Sequence, residues 1–211
     1  MDYNKLLKNM NLITERIYEI LNEDNFAFSI DYLNYMHNYL FKDILPNSGH
    51  YRTYDIYKPE HTLNGDSVLY ECPLTIETYL SYVFKEEILK DYSIMSINEL
   101  IINISNFNVK LWKIHPYIEG NTRTIAVFME KFLNSLGFNV NNDIFKENHL
   151  YYRFALAKAS YTNEEFDVEG DMMPIISFYQ KLLIDHNIIL KEEDLFEMKL
   201  FNKKKKKKRY R

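Results

Sequence analysis

The sequence predicts an all-α bundle carrying one small β-hairpin. Three observations carry that reading. Hydrophobic residues make up 46% of the 211 positions, enough for a core, while only 5 Gly and 5 Pro interrupt the chain. Apolar residues recur at spacings of three and four over long stretches, the signature of helices with one buried face. One stretch alone breaks that rhythm. Over 50–71, Tyr51, Thr53, Ile56 and Tyr57 favour extended chain, and Asn64-Gly65-Asp66 is a strong turn. Ser67-Val68-Leu69-Tyr70 then reads as the returning strand.

In chain order, residues 3–21 place Leu6, Leu7, Met10, Ile13, Ile17 and Leu21 near helical spacing. A second helix is expected over about 30–44, stopped by Pro46 and Gly49. After the hairpin, Pro73 suits the first turn of a new helix, where a missing N–H costs nothing. The clearest periodicity is Ile94, Ile97, Ile101, Ile104, Phe107, Leu111 and Ile114, which predicts a central helix. A loop from His115 to Asn121 follows. The next helix carries Ile125, Phe128, Phe132 and Leu136 on one face and stops at Gly137. Further helices are expected at 146–160, 172–186 and 191–200.

Charge is unevenly placed. Residues 203–211 hold six Lys and two Arg; because the formal total is −4, the rest of the chain carries −12. An acidic body argues against a broad nucleic-acid surface, and the basic tail is read as a solvated, disordered end, with nucleic acid or anionic lipid as its alternative partner. The single cysteine, Cys72, excludes an internal disulfide and a cysteine zinc cluster. No apolar run reaches spanning length, and no ordinary signal peptide is visible. These features predict a soluble cytoplasmic protein, with a secretion route that needs no cleaved signal left open. P-loop and dinucleotide glycine motifs are absent.

The chemistry concentrates in His115-Pro-Tyr-Ile-Glu-Gly-Asn-Thr-Arg-Thr124. Pro116 pushes His115 out of helical geometry and leaves its imidazole on a loop. Gly120 permits a tight turn, and Asn121 is a good N-cap for the helix that follows. A helix N-terminus gathers unpaired N–H groups and partial positive charge, a ready anion site. Arg123 in the first turn opposes the helix dipole and so suggests an anionic partner. Glu119, just before it, suits a Mg²⁺ that takes its other oxygens from phosphates and water. Each residue alone also has an ordinary reading, as a helix start, a packed loop histidine or a surface ion pair. Together they suit phosphoryl or nucleotidyl transfer. The His115/Glu119 spacing could bind zinc only on a helix, which Pro116 and Gly120 forbid.

This segment resembles the motif of the Fic family, His-Pro-Phe-x-Asp/Glu-Gly-Asn-Gly-Arg-x-x-Arg. The resemblance extends to Leu40–Ile44, Gly49-His-Tyr-Arg52, Asn64–Tyr70, Ser135–Phe138 and Tyr151–Leu156. It implies a Fic core over 30–160, preceded by a helical segment over 1–29 and followed by C-terminal helices over 161–202 and the basic tail over 203–211. It also implies protein adenylylation. His115 would deprotonate a Ser, Thr or Tyr hydroxyl of a target protein, or of the chain itself, which attacks the α-phosphorus of ATP. Glu119 would hold Mg²⁺. The backbone of Gly120–Arg123, the Asn121 side chain and Arg123 would bind phosphates. Tyr152, with Tyr151, would lie near the adenine. Val68, Leu69 and Tyr70 would form a flap that aligns the target as an added strand. Tyr117, replacing the motif Phe, would anchor the loop in the core.

Two departures from the motif bear on activity. Thr122 stands where Gly is usual and places a side chain over the anion cradle. Ala126 stands where the second Arg is usual, which removes a γ-phosphate ligand and the partner of an inhibitory Glu. The chain is similar to a variant subgroup carrying Gly-Asn-Thr-Arg-Thr and Ala-Val-Phe at these places. Doc-like phosphate transfer and a non-catalytic nucleotide-binding module are the alternatives, and the same resemblance implies an antitoxin or self-inhibitory element as a candidate partner.

Overall fold

The computed structural model describes residues 3–140 and 142–200, with side chains from residue 9 onward. The basic tail lies outside the described residues. Eight α-helices make up the described chain: α1 (Tyr3–Asn22), α2 (Ile30–Phe41), α3 (Ile76–Ile88), α4 (Ile97–Ile114), α5 (Asn121–Ser135), α6 (Asn142–Glu147), α7 (His149–Ser160) and α8 (Met173–Leu183). None is long and apolar enough to cross a membrane.

Helix α4 is the hub, as its periodicity predicts, and packs against α3, α5, α7 and α8. Its buried Ile101, Ile104, Phe107 and Leu111 each contribute roughly 1.5–3 kcal/mol by leaving water. The first two residues of the apolar series fall outside that face. Ile94 is exposed in a 3-10 turn, Tyr92–Ile94, and Ile97 is largely exposed at the first helical position. The physical reason is a capping box: Ser96 accepts from the Glu99 amide while the Glu99 carboxylate accepts from Ser96 N–H, fixing the start of α4 at residue 97.

Other expected elements form with shifted ends. Pro73 opens a 3-10 turn, Pro73–Thr75, ahead of α3. The helix expected over 146–160 is split into α6 and α7 at Asn148. Over 191–200 the chain makes a 3-10 turn, Glu192–Leu195, and helical backbone resumes only at 198. Long cations tie helix ends together. Lys131 of α5 donates to the carbonyls of Ile20 and Glu23 at the end of α1. Arg16 of α1 donates to Leu40 and Lys42 at the end of α2.

The hairpin strands do not form; no strand is present among the described residues, and the arms of 50–71 are extended coil around a 3-10 turn, His61–Leu63. Side chains take the place of a ladder. The buried Arg52 guanidinium donates to the Tyr54 and Glu71 carbonyls, and Ser67 Oγ accepts from the Lys58 amide. The turn itself is closed by Glu60 N–H to the Asp66 carbonyl at 2.8 Å. It is tethered to later chain by Tyr161, which donates to the Asp66 carboxylate, and by Glu197 N–H, which donates to the Thr62 carbonyl.

Candidate active site

The loop between α4 and α5 is built from below. His115 closes α4 in left-handed geometry, φ 50° and ψ 59°, because Pro116 disfavours helical backbone at the residue before it. That strain is held by Arg52, whose Nε donates to the His115 carbonyl at 2.8 Å and whose backbone N–H donates to the Pro116 carbonyl at 2.8 Å. Tyr117 is fully buried, as expected of an anchor, and its hydroxyl donates to Asn34 Oδ1 at 2.6 Å. Its ring stacks on His37. Gly49 N–H donates to His37 Nδ1, so Nε2 carries the proton and donates to the Glu119 carbonyl at 2.9 Å. Gly120 has φ 84°, and a Cβ there would lie 2.4 Å from Phe41 Cε2, so both conformation and space demand glycine.

Gly120, not Asn121, is the N-cap of α5, and it supplies no side-chain cap. The Asn121 amide is instead spent on the loop: Oδ1 accepts from Tyr117 N–H at 2.9 Å and Nδ2 donates to the Tyr117 carbonyl at 2.6 Å. Its side chain thus shapes the turn and is not free for a phosphate. The first-turn amides of α5, with no acidic residue nearby in that turn, open onto a cavity of about 780 Å³. His115, Glu119, Gly120, Thr122, Arg123 and Ala126 all line it.

His115 is 4% exposed, between Trp112 and the ring of Tyr70, whose centroid is 4.1 Å away. Burial, then the charges of Lys58 and Arg52, hold its pKa well below the usual histidine value; the Trp112 carbonyl pulls the other way without an aligned hydrogen bond to the buried Nδ1. The ring is therefore neutral near pH 7. Thr122 Oγ1 accepts from the Trp112 indole N–H at 2.8 Å. Arg123 lies over Phe41, 5.9 Å from the ring centroid, and stays accessible.

The Glu119 carboxylate is 62% exposed and pairs with Lys58 Nζ at 2.9 Å. Lys58 also donates to the Ile118 carbonyl at 2.7 Å. A cation thus already rests on these oxygens, which fits a cation-binding carboxylate. Among the described residues no group of three or more His, Cys, Asp or Glu could hold a metal. A divalent ion at Glu119 would need its remaining oxygens from substrate and water.

Of the two tyrosines expected near a base, Tyr152 lines the cavity, its hydroxyl buried on Asn108 Oδ1 at 2.8 Å. Tyr151 does not join it; burial, then the charges of Asp194 and Asp171, push its phenol pKa up to about 12. Val68 and Tyr70 are buried and Leu69 is 82% exposed, an alternation that the expected flap residues keep without a partner strand. Sequence reasoning missed Lys58, Glu60 and Arg153. All three line the cavity, and Arg153 Nη2 meets the buried Glu60 carboxylate at 2.8 Å. Lys58 and Glu60 sit in the stretch read as strand, where alternate charged residues look like a solvated edge.

The family model described as Fic/DOC family matches residues 27–133, just over half of the chain. The chain belongs to the Fic/DOC family. No curated protein matches the sequence. Solved Fic structures match it over most of their length. BepC, a VirB-translocated effector from Bartonella tribocorum with bound AMPPNP, is 20% identical with a TM-score of 0.67, covering 86% of this chain and 87% of that one. The N-terminal Fic domain of an effector from Bartonella sp. AR 15-3 is 19% identical with a TM-score of 0.70, covering 92% and 88%. That of a putative cell filamentation protein from Bartonella quintana, with bound ADP, is 19% identical with a TM-score of 0.67, covering 86% of each chain. At such identity these likenesses establish the Fic fold of this chain, an all-helical one.

Proposed function

We infer that this Fic protein transfers AMP from ATP to a hydroxyl of a protein. One observation carries the reading: the His115 imidazole and the uncapped N-terminus of α5 line the same cavity, whose size suits a nucleotide. The adenine nucleotides bound by two relatives of the same fold support it. The triphosphate would lie over the amides of Gly120–Arg123, with Arg123 pairing to it. Thr122 Oγ1 already accepts from Trp112, so its own proton is free to meet a phosphate oxygen. Glu119 would hold Mg²⁺, whose charge, when bound, offsets that of the phosphates. Tyr152 would close the base end.

His115 Nδ1 is sealed from solvent, which leaves Nε2 to accept a proton from the cavity. The target hydroxyl would give that proton to Nε2 as its oxygen bonds the α-phosphorus, and the bond to pyrophosphate would break. The amides of Val68–Tyr70 make no hydrogen bond among the described residues, which supports docking of an extended target segment along them. Thr122 and Ala126 mark this chain as a variant of the motif: Thr122, over the anion cradle, bears on the second reading, transfer of the γ-phosphate by a differently seated ATP, and Ala126 bears on the third, a non-catalytic nucleotide-binding module.

Labelled ATP separates the readings. Incubated with Mg²⁺ and lysate, the protein should retain label from the α-phosphorus on a denaturing gel. Label from the γ-phosphorus alone would establish the phosphotransferase. ATP binding with neither label would leave a non-catalytic module.

A further inference from the structure

Lys58 lies outside every motif of the family pattern, yet it makes the only ion pair that Glu119 has among the described residues. Its ammonium is held by two oxygens, Glu119 Oε1 at 2.9 Å and the Ile118 carbonyl at 2.7 Å. An ion pair whose carboxylate is this exposed adds little to stability, so folding does not account for it. Another cavity carboxylate, Glu60, is paired in the same way with Arg153. A divalent cation settling on Glu119 would compete with the ammonium for that carboxylate.

We propose that Lys58 and a divalent cation are alternative occupants of Glu119, the lysine bridging Glu119 and the phosphates when no metal is bound and giving up that place when nucleotide and metal arrive together. The inference rests on the nucleotide reading above. Three features suit the exchange. The two oxygens that hold the ammonium are hard donors of the kind a magnesium ion uses. The Lys58 backbone is fixed, its N–H donating to Ser67 Oγ at 3.0 Å, while the four-carbon stem can swing. An ammonium is a competent point-charge ligand for phosphate. Without metal, the lysine would stay between carboxylate and nucleotide and carry much of the attraction itself.

Calorimetry on the full chain tests this, with ATP titrated in EDTA and again in excess Mg²⁺. The variants are K58M, K58R and E119Q, each checked by circular dichroism and thermal melting. K58M should lose about tenfold or more of its ATP affinity in EDTA, the worth of one charge-assisted hydrogen bond. In Mg²⁺ it should bind within about threefold of the wild type, since the metal takes over the same oxygens. K58R should keep the EDTA affinity. E119Q should do the opposite of K58M, binding metal-free ATP at least as well as the wild type and gaining nothing from Mg²⁺. Equal losses in K58M with and without metal would reduce Lys58 to general attraction and overturn the exchange. So would an unchanged EDTA affinity, which would make the lysine a structural pin. If the wild-type chain binds ATP under neither condition, the nucleotide reading fails instead.

Discussion

His37 and Tyr117 lie face to face, their ring centroids 3.6 Å apart and 12° from parallel, and both nitrogens of His37 are spent on backbone. One accepts from Gly49 N–H and the other donates to the carbonyl of Glu119, so a buried imidazole in α2 ties the loop after that helix to the loop before α5. Burial lowers its pKa to about 4, against the partial opposition of the Glu119 carbonyl. The unfolded chain takes up this proton as pH falls through about 6.5, while the folded chain does so only near 4. Stability should therefore fall between those values, by roughly 3 kcal/mol from this residue. Urea unfolding at pH 7 and pH 4 should show a smaller acid loss in H37Q by about that amount; an identical loss would remove His37 from the account.

Gly120→Ala should disrupt the turn at its narrowest point. The positive φ costs an L-residue roughly 1–2 kcal/mol, and overlap with Phe41 adds about 1–3 kcal/mol. F41A should recover the second part and not the first. Denaturant midpoints of the two single variants and the double variant measure both.

Replacing Arg52 by Lys should not be conservative. The guanidinium serves the carbonyls of Ile114, His115, Tyr54 and Glu71 at once, and an ammonium cannot span that fork. The expected loss is roughly 3 kcal/mol or more, from several buried carbonyls left unpaired. A thermal midpoint within a degree of wild type would contradict the assignment.

His115→Ala should remove the base and keep the cradle. Label transfer should fall on the order of 10²–10⁴-fold, while ATP affinity by calorimetry stays within a few-fold. Since burial and the Lys58 and Arg52 charges keep the free imidazole neutral, kcat/KM should not decline from pH 8 to pH 6 through this group. A titration near 6.5 that vanishes in H115A would show the ring to be less enclosed than described.

Helix content was readable because it is local. The spacing along α4 announced its buried face, and His115-Pro116 with Gly120 announced a loop that could not continue the helix. What failed depends on contacts far apart in sequence. Lys58 reaches Glu119 across 61 positions, and Glu60 reaches Arg153 across 93. No period or cap signals such meetings. The strands of 50–71 failed for the same reason: the residues are β-formers, but Arg52 and Ser67 occupy the carbonyls and amide a ladder would use. Asn121 was a sound cap by type, yet Tyr117 offered its amide two partners inside the turn.

If a target docks along Val68–Tyr70 as proposed, the inward Val68 and Tyr70 and the outward Leu69 would impose a parity rule on it. In an added strand, neighbours point to opposite sides, and each step advances the chain by about 3.3 Å. A hydroxyl presented to His115 and shifted by one place would turn its back on the imidazole. Shifted by two, it would face the right way but stand roughly 7 Å off. Acceptor choice would then be written in odd and even positions, with the neighbours of the modified residue free to vary in size.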